Sequence, residues 1–153
     1  MTGIEFKAVD PVQAPASDLI AAMVAEMSEL YGDIEGPHMP SATPADFAQP
    51  HGTFLVGYLD GEPVCAGGLK RLDAQAVEIK RMYVVPTARR RGVARALLRA
   101  LEDAARERGY RVVRLDTGPR QPHAMELYRS QGYADVGNFN ANPVATYWGE
   151  KEL

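Results

Sequence analysis

The sequence predicts an α/β layered domain on a mixed sheet, and three observations carry that prediction. Apolar runs of strand length alternate with longer runs whose apolar residues recur at helical spacing. Asp60-Gly61 lies between two apolar runs and marks a hairpin. A long amphipathic run from about Arg91 to Gly109 separates two further strand-like runs, as in a β-α-β crossover. The 153 residues suffice for one domain, residues 1–153, around a single core.

Each element follows from its own residues. GIEFKAV alternates Ile4, Phe6 and Ala8 with polar neighbours and predicts a half-buried first strand. Leu19, Ile20, Met23, Met27, Leu30 and Tyr31 then fall at helical spacing, with Gly32 as the stop. GDIEGPHMPSATP is rich in Pro, Gly and Ser and predicts a loop, with a short helical turn at Ala45–Gln49. TFLVGYLDGEPVCAGGLKRL is the hairpin. AQAVEIKRMYVV is the next strand, stopped at Pro86, which has no N–H for the ladder. Strand alternation puts Glu78, Lys80, Met82 and Val84 on one face, and Ile79, Arg81, Tyr83 and Val85 on the other.

In the long helix Val93, Leu97, Leu98, Leu101, Ala104 and Ala105 form the buried stripe. Arg99–Asp103 and Glu102–Arg106 are expected to pair at i,i+4 on the outer side. RVVRLDT predicts a strand buried on both faces. QPHAMELYRSQG predicts a second carboxyl-half helix, with Pro122 in its first turn and Gly132 as its stop. YADVGNF and TYWGEKEL are expected to close the chain as strands.

Composition narrows the function. Hydrophobic residues at 46% and charged residues at 24% are globular values, which argues against general disorder. A net charge of −3 argues against a nucleic-acid partner, which wants a surplus of Lys and Arg on one face. Cys65 is the sole cysteine, so neither an intrachain disulfide nor a cysteine metal cluster can form. Within its apolar run it reads as a small buried filler. The N-terminus has no basic start followed by a long apolar run, and no stretch reaches a membrane span. No membrane partner and a cytoplasmic location are expected.

RMYVVPTARRRGVARALL carries the main chemical signal. Three adjacent arginines repel one another, and glycine is a poor helix former. A helix start, however, offers unsatisfied N–H groups and the positive end of the helix dipole. An anion bound there needs close backbone approach, which Gly92 permits, while Ala94 keeps the next turn slim. The pattern Arg89, Gly92, Ala94 suits a diphosphate; as a bare pattern it also fits a solvated basic turn. No GxxxxGK[ST] P-loop and no GxGxxG after the first strand are present.

VEIKRMYVVPTARRRGVARALLRALEDAARERG resembles the central segment of the GNAT superfamily of N-acetyltransferases, which use acetyl-coenzyme A. LDTGPRQPHAMELYRSQGY resembles the family's next segment, ending in A-x-x-L-Y-x-x-x-G-[FY] at Ala124, Leu127, Tyr128, Gly132 and Tyr133. The two cover about residues 77 to 133 in the family's order.

The resemblance implies a single domain with a mixed, mostly antiparallel sheet of six to seven strands. That sheet would be splayed in the middle and flanked by about four helices. It also implies acetyl-CoA as co-substrate and no metal. Met82, Tyr83, Val84 and Val85 would contact the cofactor's pantetheine from the strand end. Arg89, Arg90, Arg91, Gly92, Val93, Ala94 and Arg95 would hold the diphosphate, with Ala124 and Tyr128 beside the cofactor. Arg90 stands where many members have glycine.

Transfer to an amine needs a proton acceptor and a proton source for the departing thiolate. The resemblance assigns the acid to Tyr128, which as a residue reads equally as a core aromatic. It assigns the base to Glu78, which otherwise reads as a salt-bridge partner of Lys80 or Arg71; ordered water replaces the carboxylate in many members. His38, His51 and His123 have no metal-ligand spacing. Asp116, Thr117, Asn138, Asn140, Tyr147 and Trp148 border the cleft or pack the last strands. The expected activity is N-acetylation of a primary amine of a small molecule or peptide. The alternative is a non-catalytic acyl-CoA-binding sensor of the same fold. Homodimers are common in the family, and the C-terminal strand suits one.

Overall fold

The computed structural model describes residues 3–32 and 42–153. Strand β1 is Glu5–Ala8 and helix α1 is Ala16–Tyr31. A 3-10 turn at Pro44–Phe47 precedes β2, Thr53–Leu59, and β3, Glu62–Arg71. Asp60 and Gly61 between them take φ of +52° and +80°, the left-handed pair a tight hairpin requires. Strand β4 is Ala76–Val84, and a second 3-10 turn follows at Pro86–Ala88. Helix α2 is Val93–Glu107, β5 is Val112–Thr117 and α3 is Pro122–Ser130. Strands β6, Ala134–Asp135, and β7, Tyr147–Glu152, complete the chain.

One seven-stranded sheet runs in the order β1-β2-β3-β4-β5-β7-β6. All neighbours are antiparallel except β4 and β5, which α2 joins as a parallel crossover. The mixed, mostly antiparallel sheet is therefore as expected, and among the described residues three α-helices and two 3-10 turns flank it. The parallel pairing is short. It links Ala76, Val77 and Glu78 to Val112, Val113 and Arg114 and then ends, although β4 continues to Val84 and β5 to Thr117. Past Glu78 the sheet is split.

Two apolar clusters cover the faces. Leu97, Leu98 and Leu101 of α2 are fully buried against Cys65, Leu69, Val77, Ile79 and Val113. Burying each leucine contributes about 1.5–3 kcal/mol. Tyr128 of α3 joins the same cluster, so α2 and α3 share a face. On the other face, Ala16 and Leu19 of α1 pack with Phe47, Phe54, Val56, Ala66 and Tyr83. Gly68 is needed there, because a Cβ would overlap the Phe47 ring.

Three expectations are corrected. Glu102 does not pair outward with Arg106; it is 3% exposed and binds Tyr133 Oη at 2.8 Å and Lys151 Nζ at 3.1 Å. Asp103 takes Arg106 instead, at 3.0 Å. Helical spacing marks Glu102 as the edge of the stripe, and only the arrival of β7 makes that edge interior. Residues 133–139 are not one strand, since only Ala134 and Asp135 form ladder pairs with β7 and Val136 adds one hydrogen bond to Trp148 C=O at 2.8 Å. Strand alternation also fails in β4. Its register against β3 shifts between Ala66 and Gly68, and Arg81 takes φ +57°, a β-bulge. Val77 and Ile79 face α2 before the bulge; Met82 and Val84 do so after it, with Tyr83 on the α1 face. Glu78 therefore lies on the face opposite Met82 and Val84.

Candidate active site

The arginine-glycine run forms the mouth of the split. Arg90 and Gly92 both take left-handed φ, +64° and +80°, and Gly92 is the N-cap residue of α2. Among the described residues no side chain caps this helix start. The backbone ladder begins with Ala96 N–H donating to Gly92 C=O at 3.1 Å, which leaves the amides of Val93, Ala94 and Arg95 directed outward. Among the described residues a Cβ on Gly92 would meet nothing within 4 Å. The glycine thus serves the backbone turn and faces open space, as close approach by an anion requires. Arg90, Arg91 and Arg95 are exposed at this mouth, while Val93 is buried beneath it and Ala94 is half-buried.

Arg89 behaves differently. Its guanidinium turns back to donate to Val84 C=O at 2.9 Å and to Glu26 Oε2 of α1 at 2.7 Å, and lies 5.6 Å from the Tyr83 ring centre. It ties the end of β4 to α1. Its side chain is a strut, and the free cations at the mouth are its neighbours.

Backbone alternation sorts the strand end. Val85 N–H donates to Val64 C=O of β3 at 2.9 Å, and Tyr83 pairs with Ala66 in the same register, so both turn their amides to β3. Met82 and Val84 turn theirs to the split.

From α3, Tyr128 reaches the same gap. It is 6% exposed, and its hydroxyl donates to Met82 Sδ at 3.7 Å. Its ring stacks on Tyr147 at 6.4 Å. Burial first, then the charge of Asp116 and the neighbouring Tyr147, holds the Tyr128 hydroxyl well above the usual tyrosine range. It stays protonated at neutral pH and can donate. Ala124, one turn earlier, is half-buried against the same core.

Glu78 occupies the last paired position of β4, at the root of the split. It is 2% exposed, so it is no surface ion-pair residue. Lys80 Nζ lies 3.4 Å from its Oε2, whereas Arg71 turns to His51 at 3.0 Å. Its closest partner is Asn140, whose amide donates to Glu78 Oε2 at 2.9 Å and to Asp116 Oδ2 at 2.6 Å. Asn142 donates to the same Asp116 oxygen at 3.1 Å, and Trp148 Nε1 donates to Asn140 Oδ1 at 3.1 Å. Asn142 belongs to the site without belonging to any motif. Its signal was the alternation of Asn138, Asn140 and Asn142 before Pro143, a run suited to successive Asx turns.

A cavity of about 170 Å³ lies on the α1 face, lined by Ile20, Ala42, Phe47 and Arg81 among others, and none of the residues bordering the split lines it. The histidines stand apart. His51 is held by Arg71, His123 is exposed in the first turn of α3, and His38 lies outside the described residues. Cys65 is fully buried, and that burial pushes its thiol up to about 12, so it is inert filler. Among the described residues no group of His, Cys, Asp or Glu is arranged to hold a metal ion, and no helix is long and apolar enough to cross a membrane.

Known proteins resemble this chain in sequence and fold. The model of the Acetyltransferase (GNAT) family matches residues 20–133. An IAA acetyltransferase of Azospirillum brasilense is 35% identical over 132 residues, 83% of this chain and 84% of the relative. N-acetyltransferase 8 of Homo sapiens is 36% identical, but the match spans only 35% of its length. A Klebsiella pneumoniae structure assigned as an acyl-CoA N-acyltransferase superposes with TM-score 0.78 at 27% identity, covering 98% of this chain and 97% of that one. A GNAT acetyltransferase from Elizabethkingia anophelis, solved with acetyl-CoA bound, shares the fold over the full length of both chains, with TM-score 0.72 at 15% identity. Family model, relatives and fold agree: the chain belongs to the GNAT family of acetyltransferases.

Proposed function

We propose that this chain acetylates the primary amine of a small molecule or peptide, taking the acetyl group from acetyl-CoA by direct attack in a ternary complex. One observation carries the reading. Pairing between β4 and β5 stops at Glu78, where an uncapped helix start, a buried proton donor and a buried carboxylate all border the opening.

The residues fit the co-substrate. The outward amides of Val93 to Arg95 and the open space above Gly92 suit a diphosphate, with Arg90, Arg91 and Arg95 adding charge. The split-facing amides of Met82 and Val84 suit a ligand that carries amides of its own. Acetyl-CoA, when bound, supplies an acetyl group already activated as a thioester. The chain's task is then mainly to align the two substrates. Tyr128 protonates the departing thiolate from the α3 side. Glu78, on the opposite face of β4, takes the proton of the attacking amine through a water. The carboxylates of buried Glu78 and half-buried Asp116 favour a cationic acceptor entering from the α1 side.

The test pairs calorimetric binding of coenzyme A with thiol release from acetyl-CoA across a panel of primary amines. Amine-dependent thiol release is expected. Tight coenzyme binding with no release from any amine would leave only a sensor.

A further inference from the structure

The Asn140 side chain has all of its hydrogen-bonding capacity filled. Its two N–H bonds go to Glu78 of β4 and Asp116 of β5, at 2.9 and 2.6 Å. Its oxygen accepts from Trp148 Nε1 at 3.1 Å and from the Asn142 backbone at 3.2 Å. An indole nitrogen only donates, so Trp148 fixes which end of the amide is oxygen and turns both N–H groups toward the carboxylates. The segment carrying Asn140 is held in turn. Asn138 Oδ1 accepts from the Asn140 and Ala141 amides at 3.2 and 2.7 Å, with Ala141 at φ +56°, and Asn142 Oδ1 accepts from Val144 at 3.1 Å.

We propose that Asn140 is a positioning residue, clamping Glu78 to Asp116 across the split and so setting the direction of the carboxylate that receives the acceptor's proton. This rests on Glu78 acting as the base. Other charges cannot replace the clamp. Lys80 lies at 3.4 Å, Lys70 on β3 leans toward Asp46 at 3.9 Å, and Arg114 on β5 is bound to Glu150 of β7 at 2.7 Å. Without Asn140, Glu78 keeps, among the described residues, one loose cation and no neutral donor. Its side chain can then leave the line to the acceptor.

The experiment is a double-mutant cycle of Asn140→Ala with Glu78→Gln, with coenzyme A affinity as control. Asn140→Ala is expected to lower kcat at least tenfold, with coenzyme A Kd within twofold of the parent. Added to Glu78→Gln, it is expected to cost less than a further twofold. An equal loss in both backgrounds, or an unchanged kcat in Asn140→Ala, overturns the proposal. Full activity in Glu78→Gln overturns the base assignment and the positioning role with it. NMR of the Asn140 side-chain amide needs no activity and no variant at position 140. Glu78→Gln should shift one of its protons and Asp116→Asn the other. An amide indifferent to both substitutions overturns the clamp. Both shifts in a chain that acetylates no amine would uphold the clamp and sink the functional reading instead.

Discussion

Replacing Gly92 with alanine separates the needs of the fold from the needs of the ligand. Gly92 sits at φ +80° with nothing within 4 Å of a would-be Cβ. The methyl therefore costs only backbone strain, about 1–2 kcal/mol for an L-residue in the left-handed region. Loss of unfolded-state freedom offsets some of this, by about 0.4–1 kcal/mol. A net cost near 1 kcal/mol lowers Tm by about 2–4 °C in a domain of this size. The same methyl occupies the space that a diphosphate needs. Losing one hydrogen bond to a charged group costs about 1.5–3 kcal/mol. That weakens coenzyme A binding about ten- to a hundredfold. Gly109→Ala is the matched control, with φ +84°, equally open surroundings, and a place beyond the far end of α2. Calorimetry on both variants decides the matter. Equal losses of affinity, or a Gly92→Ala protein that binds within twofold of the parent, would refute the cradle.

Other perturbations read other parts of the molecule. Tyr128→Phe removes a hydroxyl whose one hydrogen bond among the described residues goes to Met82 Sδ at 3.7 Å, so Tm and coenzyme A Kd should hold while kcat falls about tenfold or more; full turnover would remove the acid role. Burial first raises the hydroxyls of both Tyr128 and Tyr133 above the ordinary tyrosine value, for Tyr133 with help from the Glu102 charge. The unfolded chain then loses these protons near pH 10 while the folded one keeps them. The share of these two tyrosines is accordingly full below pH 10 and falls above it, by about 1.4 kcal/mol per pH unit for each, on top of the loss that the buried Cys65 thiol begins near pH 9. Urea titrations from pH 9 to 11 should show that slope, made shallower by one tyrosine's share in Tyr133→Phe. Glu102→Gln keeps the shape but removes the charge that holds Tyr133 and Lys151, and should cost about 1–3 kcal/mol in urea unfolding; an unchanged midpoint would mean the buried triad contributes no net stability.

Legibility followed the range of the interactions. The helix start at Arg91-Gly92, the stop at Pro86 and the Asp60-Gly61 turn are conditions on one or two adjacent φ values, so the residues state them directly. The strands were found for a similar reason, because alternation is a local signal. The faces of β4 were misread because the bulge at Arg81 leaves no residue signature; a non-glycine at φ +57° is held there by the register against β3. Glu102 was misread because its partners, Tyr133 and Lys151, come from β6's approach and from β7.

By itself, the sequence determined the order of elements and the glycine start of α2, and its family resemblance singled out the candidate acid and base. Each of these rests on residues near one another in the chain, or on a motif that spans them. Only the tertiary structure decided which face of the sheet Glu78 occupies, that Arg89 braces β4 against α1, and that Asn140 joins β4 to β5. Those outcomes depend on contacts between distant segments whose geometry exists only once the sheet has closed around its split.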